Sequence, residues 1–115
     1  MLQQMRLHPE PFNKIKDGAK TIEMRLYDEK RQLLQLGDII EFENRETGEK
    51  LRAQIINFHR FASFAELYQK LDHHLLGYAD EEAVDPTDMS KYYSAKDEQK
   101  YGVVGIEIKV VNSES

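Results

Sequence analysis

The sequence contains no cysteine. This absence excludes a disulfide framework, a thiolate zinc site and a thiol nucleophile. The chain also lacks any apolar run approaching the roughly 20 residues that cross a bilayer. Its N-terminus has no apolar centre and no small-residue cleavage site of the secretory type. We therefore expect a cytoplasmic protein without a membrane partner.

An excess of basic residues is missing as well, since the formal net charge is −5 over 115 residues. That balance disfavours a protein that coats long nucleic acid through many phosphate contacts. The charge is uneven, however, because residues 14–31 carry six basic and four acidic residues. A local basic region on an otherwise acidic protein favours binding of a small anion, a nucleotide or a short RNA end. Ordinary solvated surfaces are the alternative explanation.

The length predicts one domain, which we place at residues 1–111. Residues 112–115 form a polar tail that we expect to be disordered. Alternating apolar residues and turn signals predict strands at about 5–7, 21–27, 39–42, 51–58 and 102–111. Capping signals predict helices at about 9–17, within 28–36, at 63–71, from 86 and after 94. The expected fold is α+β, with five or six mostly antiparallel strands and short flanking helices that close as a small β-barrel.

The most informative segment is Gly18-Ala19-Lys20-Thr21-Ile22-Glu23-Met24-Arg25. On a strand, Glu23 and Arg25 project from the face opposite Ile22 and Met24. Lys20 lies where the chain enters this strand after a turn at Gly18, and its stem can reach the same face. Arginine offers a planar fork for phosphate, carboxylate or a base edge, and lysine a mobile cation. A cross-strand ion-pair ladder on a solvated sheet face is the alternative.

The pattern Gly-x-Lys-x-x-Glu-x-Arg at these positions resembles the motif of the ASCH family, a branch of the PUA-like β-barrels. The Pro-x-Pro-Phe helix at 9–12, the Leu-Gly-Asp turn at 36–38 and the Tyr-Gly-Val-Val segment at 101–104 look similar too, so the resemblance covers about residues 5–111. It implies that Lys20, Glu23 and Arg25 line a cleft between the barrel and the first helix. The implied partner is RNA, a nucleotide or a nucleoside.

Some ASCH relatives are enzymes, and the resemblance therefore keeps a hydrolase as the second hypothesis. One branch resembles an amidohydrolase of acetylated cytidine that uses a lysine, a threonine three residues later and a distant glutamate. Here Lys20 is present, but Glu23 occupies the threonine position, and Thr21 follows Lys20 directly. A second branch is ribonuclease-like. In either case Lys20 and Glu23 are the candidate catalytic residues, with Glu23 as general base.

Further candidates are less specific. His59 follows the strand predicted at 51–58 and is a candidate proton shuttle or stacking ring at the cleft. Tyr93 is a candidate stacking residue, although in the Tyr92-Tyr93 pair we expect one ring in the core and one exposed. His73 and His74 are adjacent and seldom converge on one metal, and the acidic run 80–88 lacks the order of an EF-hand loop. We thus predict no metal and no cofactor. A protein-interaction domain is a third option, and the sequence leaves the oligomeric state open.

Overall fold

A computed structural model of the protein describes residues 2–80 and 82–111. The helices and strands follow in chain order: β1 Leu2–Leu7, α1 Pro9–Lys16, β2 Ile22–Leu26, α2 Glu29–Gln32, β3 Ile39–Asn44, β4 Lys50–Phe61, α3 Phe64–Lys70, a 3-10 helix Pro86–Lys91, α4 Ala95–Tyr101 and β5 Val103–Val111. Every strand and helix predicted from the sequence is present. The predicted tail, 112–115, lies outside the described residues.

The strands form one mixed, curled sheet with the order β1-β3-β4-β5-β2. β1 runs parallel to β3, and the other three pairings are antiparallel. The α+β fold with mostly antiparallel strands is therefore confirmed, in the form of a half-barrel. Within the described residues, β1 and β2 are the two edges of this sheet.

Two apolar clusters cover the two faces of the sheet. One face carries Ile40, Phe42, Ile55 and Ile106, and α1 covers it with Phe12 and Ile15; this cluster is the main core. The opposite face carries Ile22, Met24 and Leu26 of β2, packed with Phe64 and Leu67 of α3. Because helices lie against both faces, β2 is buried on both sides, although its alternation of apolar and charged residues is typical of a strand with one solvated face.

Local signals set the helix that precedes the motif. Pro9 and Pro11 lie in the first turn of α1, where a missing N–H costs little. The helix ends at Lys16 with Asp17 as its C-cap, and Gly18 follows with φ +82°, which favours glycine at a helix C-terminus. The amide of Lys20 then donates to the carbonyl of Lys14 at 3.0 Å. This turn delivers Lys20 to the start of β2, as the sequence predicts.

The cap of α3 is partly as predicted. The Ser63 hydroxyl accepts from the amide of Glu66 at 3.1 Å, so the N-cap is confirmed. The Ser-x-x-Glu pattern at 63–66 predicts that Glu66 accepts from the amide of Ser63, but Glu66 instead accepts from the amide of Ala62 at 3.5 Å. None of the described helices combines the length and the apolar character that a membrane crossing needs.

Candidate functional site

Lys20 is buried at the base of a cleft, with only 6% of its surface exposed. Its Nζ donates to the carbonyl oxygen of Leu76 at 3.3 Å and lies 3.5 Å from Oε1 of Glu23. A buried ammonium group is stable only where acceptors and an opposite charge replace its water. Both are present here, so the Nζ of Lys20 is held in a fixed position.

Glu23 lies at the centre of a charged group formed by Lys20, Glu23 and Arg25. Its Oε1 accepts from the amide of Met24 at 3.1 Å, and its Oε2 accepts from Nη2 of Arg25 at 3.3 Å. Burial by itself would raise the pKa of this carboxyl, but the charges of Lys20 and then Arg25, with the Met24 amide, outweigh burial and lower the pKa below the ordinary 4.5. Glu23 is therefore ionised, and its oxygens are already engaged by protein donors.

Arg25 leaves part of its guanidinium facing the cleft. The side chain is 18% exposed, and its Nε is buried without a hydrogen-bond partner in the described residues. Burial would lower the pKa of Arg25, but Glu23 and the Tyr93 hydroxyl outweigh it and raise the pKa. The Nε is not accessible to a ligand, so the exposed part of the side chain is what borders the cleft.

The charged group lies on the same face of the sheet as the main core. Glu23 pairs with Ile106 of β5, and Ile106 pairs with Phe58 of β4. Directly opposed residues of antiparallel strands share a face, so Glu23 is on the side that holds the main core. The alternative of a solvated ion-pair ladder is therefore wrong, because Lys20 and Glu23 are both buried.

A cleft of about 510 Å³ opens above this group. A volume of this order is typical of small-molecule sites. Its walls come from the end of β1 and the start of α1, from β2, and from the segments around residues 76–82 and 89–93. Six lysines and arginines line it against three glutamates: Arg6, Lys14, Lys20, Arg25, Arg45 and Lys91 against Glu10, Glu23 and Glu82. The cleft is thus cationic in a chain of net charge −5.

Sequence reasoning missed the turn that closes one side of this cleft. The carbonyl of Leu76 accepts from Lys20, and the carbonyl of Gly77 accepts from Nζ of Lys14 at 2.7 Å. Gly77 has φ +100°, and a Cβ there would lie 3.2 Å from Cβ of Lys20. The sole signal in the sequence is the Leu-Gly pair, which predicts a turn but not its partner.

Tyr93 lies in the cleft, but its ring is committed to the protein. It stacks on Phe64 with ring centroids 5.5 Å apart, and its hydroxyl interacts with Arg25. Tyr92 is 61% exposed. The division into one packed and one exposed ring is as predicted, and Tyr93 serves by holding Arg25.

His59 is not brought to the cleft. A β-bulge between Ile55 and Asn57 shifts the alternation of β4, so His59 pairs with Gly105 on the face opposite the main core. Its Nε2 lies 2.8 Å from Oε1 of Glu107. Without the bulge, His59 would share the face of Ile55 and the main core.

The other histidines and the acidic run form no metal centre in the part of the chain that the structure describes. His73 contacts the carbonyl of Tyr68 at 2.7 Å, and His74 pairs with Asp80. Glu81, which belongs to the acidic run, lies outside the described residues.

Comparison with known proteins gives a family match over most of the chain. A family model described as the ASCH domain matches residues 5–112. The crystal structure of hypothetical protein PH0355 is 34% identical, with a TM-score of 0.81, and the match covers 96% of this chain and 100% of that one. The solution structure of protein PF0455 from Pyrococcus furiosus is 32% identical, with a TM-score of 0.76 and coverage of 97% and 99%.

More distant structures share the fold. The crystal structure of ASCH from Zymomonas mobilis is 14% identical, with a TM-score of 0.66, and the match covers 98% of this chain and 74% of that one. At this identity the likeness concerns the fold alone. No curated protein matches the chain significantly.

Proposed function

The chain belongs to the ASCH domain family, and from this premise we propose that it is a binding module for short single-stranded RNA or nucleotides. The observation that carries the proposal is the cationic cleft above Lys20, Glu23 and Arg25 in an otherwise acidic protein. ASCH domains are generally thought to bind RNA, and the chemistry of this cleft agrees with a ligand that combines a phosphate with a base.

The three motif residues have different parts in this proposal. Arg25 contacts the ligand, because its side chain lines the cleft and is 18% exposed. Its planar fork matches two oxygens of a phosphate. Glu23 positions Arg25 and Lys20, since its oxygens are engaged by protein donors. Lys20 contributes positive charge at the base of the cleft, while Gly18 provides the turn that admits it.

The outer wall extends the site beyond a single anion. Arg6 and Arg45 line the cleft and are exposed, so they can meet further phosphates of a chain. Such contacts release counterions, and single-stranded binding then weakens with salt by roughly 0.7 log units per log unit of salt for each phosphate neutralised. An acidic body restricts this attraction to the mouth of the cleft, which favours a short strand over a long duplex.

The hydrolase hypothesis has less physical support. A general base that works near neutral pH needs a pKa close to the working pH. Glu23 has a pKa below its ordinary value, and two cations and an amide compete for its lone pairs. The carboxylate is therefore a poor proton acceptor, and its arrangement favours binding over catalysis.

The test is fluorescence anisotropy with a labelled single-stranded RNA dodecamer at two salt concentrations. Arg25→Gln removes the proposed phosphate ligand, and we expect roughly tenfold weaker binding, the value of a charge-assisted hydrogen bond. Arg45→Gln changes an exposed residue and is expected to reduce the salt dependence by about 0.7. A duplex of the same length should bind more weakly than the single strand.

Lys96→Gln is the matched control, because Lys96 is exposed on α4 and does not line the cleft. It removes the same charge and should leave binding unchanged. Circular dichroism establishes that Arg25→Gln is folded. If Arg25→Gln and Arg45→Gln both bind the dodecamer like the wild type, the proposed function is wrong.

A further inference from the structure

Two aromatic side chains meet at the mouth of the cleft from opposite ends of the sequence. His8 precedes α1, and Tyr92 follows the 3-10 helix. Their ring centroids are 6.3 Å apart, and the ring planes are inclined by 41°. Both residues line the cleft, in which the motif residues form the base.

Neither ring is needed to hold the fold. His8 is at the N-cap position of α1, but its imidazole makes no capping hydrogen bond and the residue is exposed. Tyr92 is the one tyrosine or phenylalanine of the described chain that has more than half of its surface exposed, at 61%. The neighbouring Tyr93, by contrast, is packed against Phe64. Two exposed rings in contact beside a cleft are unusual for a purely structural pair, since tyrosine normally buries most of its apolar surface.

Resting on the proposed function, we propose that His8 and Tyr92 form a clamp that takes one unpaired nucleobase between their rings. This assigns base recognition to a pair that lies outside the Gly-x-Lys-x-x-Glu-x-Arg motif. Stacking accepts any base, because every base has a π face, and it favours the larger purines. The clamp therefore selects a nucleobase-bearing strand over a bare phosphate chain.

The geometry needs only a small adjustment. Stacked bases repeat at roughly 3.4 Å along a strand, so a base between two rings needs centroids about 6.8 Å apart. The observed 6.3 Å lies within the range of ring pairs in direct contact, so the rings must separate and their 41° inclination must decrease before a base enters. Rotation of exposed side chains achieves this within nanoseconds, without movement of the backbone.

The charges around the rings suit the phosphates that flank such a base. Arg6 is two residues before His8 in the sequence, and Lys91 directly precedes Tyr92. Both line the same cleft, together with Arg25. A base held by the rings thus places its neighbouring phosphates among cationic side chains, whereas an adjacent base can remain in solvent.

The experiment compares two unlabelled ligands by isothermal titration calorimetry, because a dye would itself stack. One is an adenosine pentaribonucleotide, and the other is a pentamer of abasic ribose phosphate with the same charge. We expect the wild type to bind the adenosine pentamer roughly tenfold or more tightly than the abasic one, within the range known for base–aromatic stacking. Tyr92→Leu and His8→Leu should lose this preference, whereas Tyr92→Phe keeps the ring and should retain it.

Tyr27→Leu is the control, since it removes a tyrosine ring that contacts Arg60 and does not line the cleft. It should leave the preference intact. The clamp is refuted if Tyr92→Leu still prefers the adenosine pentamer. It is also refuted if the wild type binds both pentamers equally while Arg25→Gln weakens both, a result that leaves the proposed function standing. If the wild type binds neither pentamer, both proposals fail.

Discussion

Replacing Glu23 by glutamine tests the electrostatic account of the site directly. The substitution keeps the shape of the side chain but removes the negative charge between Lys20 and Arg25. Lys20 and Glu23 expose only 6% and 7% of their side chains. The ammonium of Lys20 would then retain the carbonyl of Leu76 as its acceptor, with no opposite charge in contact.

The magnitude follows from burial. Removing one partner of a buried ion pair typically costs about 3–5 kcal/mol, because the other charge is left uncompensated. Glutamine still offers an oxygen to Lys20, so we expect the lower end, about 3 kcal/mol. For a domain of this size that corresponds to a decrease in Tm of roughly 12 °C. Lys20→Met should cost less, since Glu23 keeps Arg25 and the amide of Met24.

Urea denaturation followed by circular dichroism measures these free energies of unfolding. The double variant Lys20→Met/Glu23→Gln should lose less than the sum of the two single losses, by about 1–2 kcal/mol, because it removes both charges. Glu107→Gln is the matched control, since Glu107 is 32% exposed in its pair with His59. It should cost less than about 1 kcal/mol. A Glu23→Gln protein within about 0.5 kcal/mol of the wild type would refute the reasoning.

Three more predictions concern the same region. The pKa of Glu23 is lowered in the folded protein, so the stabilisation by this carboxylate is present above the ordinary value of 4.5 and is lost as the pH falls through the folded-state pKa. The difference in unfolding free energy between wild type and Glu23→Gln should therefore shrink from pH 7 to pH 3. A constant difference would contradict this prediction. Gly77→Ala places a Cβ 3.2 Å from Cβ of Lys20 at a residue with φ +100°, so the free energy of unfolding measured with urea should fall by about 1–3 kcal/mol. An unchanged urea midpoint would contradict the close approach. Tyr93→Phe keeps the ring but removes the hydroxyl beside Arg25. Binding of the RNA dodecamer should weaken several-fold, and the free energy of unfolding should fall by about 1 kcal/mol. Wild-type affinity would show that the hydroxyl does not position Arg25.

The motif strand could be derived from the sequence because its information is local. The alternation of apolar and charged residues in β2 depends on the two-residue period of a strand. The turn at Gly18 depends on the freedom of glycine to adopt a positive φ, and the observed value is +82°. Lys20, Glu23 and Arg25 therefore converge as expected, without any knowledge of distant residues.

The site's other components depend on long-range pairing. The carbonyl of Leu76 that accepts from Lys20 is 56 residues away in the sequence. The sequence predicts His59 at the cleft because it follows the strand at 51–58, but β4 extends through Phe61 and a bulge after Ile55 turns His59 to the other face. A single inserted residue reverses every later side chain of a strand, and no composition signal marks where it occurs.

The sequence by itself determined the succession of strands and helices along the chain, the turn before the motif and the strand face that carries the motif's charges. Each of these depends on residues a few positions apart. Only the tertiary structure decided that this face is buried, since distant segments, α1 among them, pack against the same side of the sheet. It also decided that Tyr93 packs while Tyr92 meets His8. Burial of a side chain and its tertiary contacts depend on segments that are distant in the chain, so the local residue pattern of a strand does not predict them.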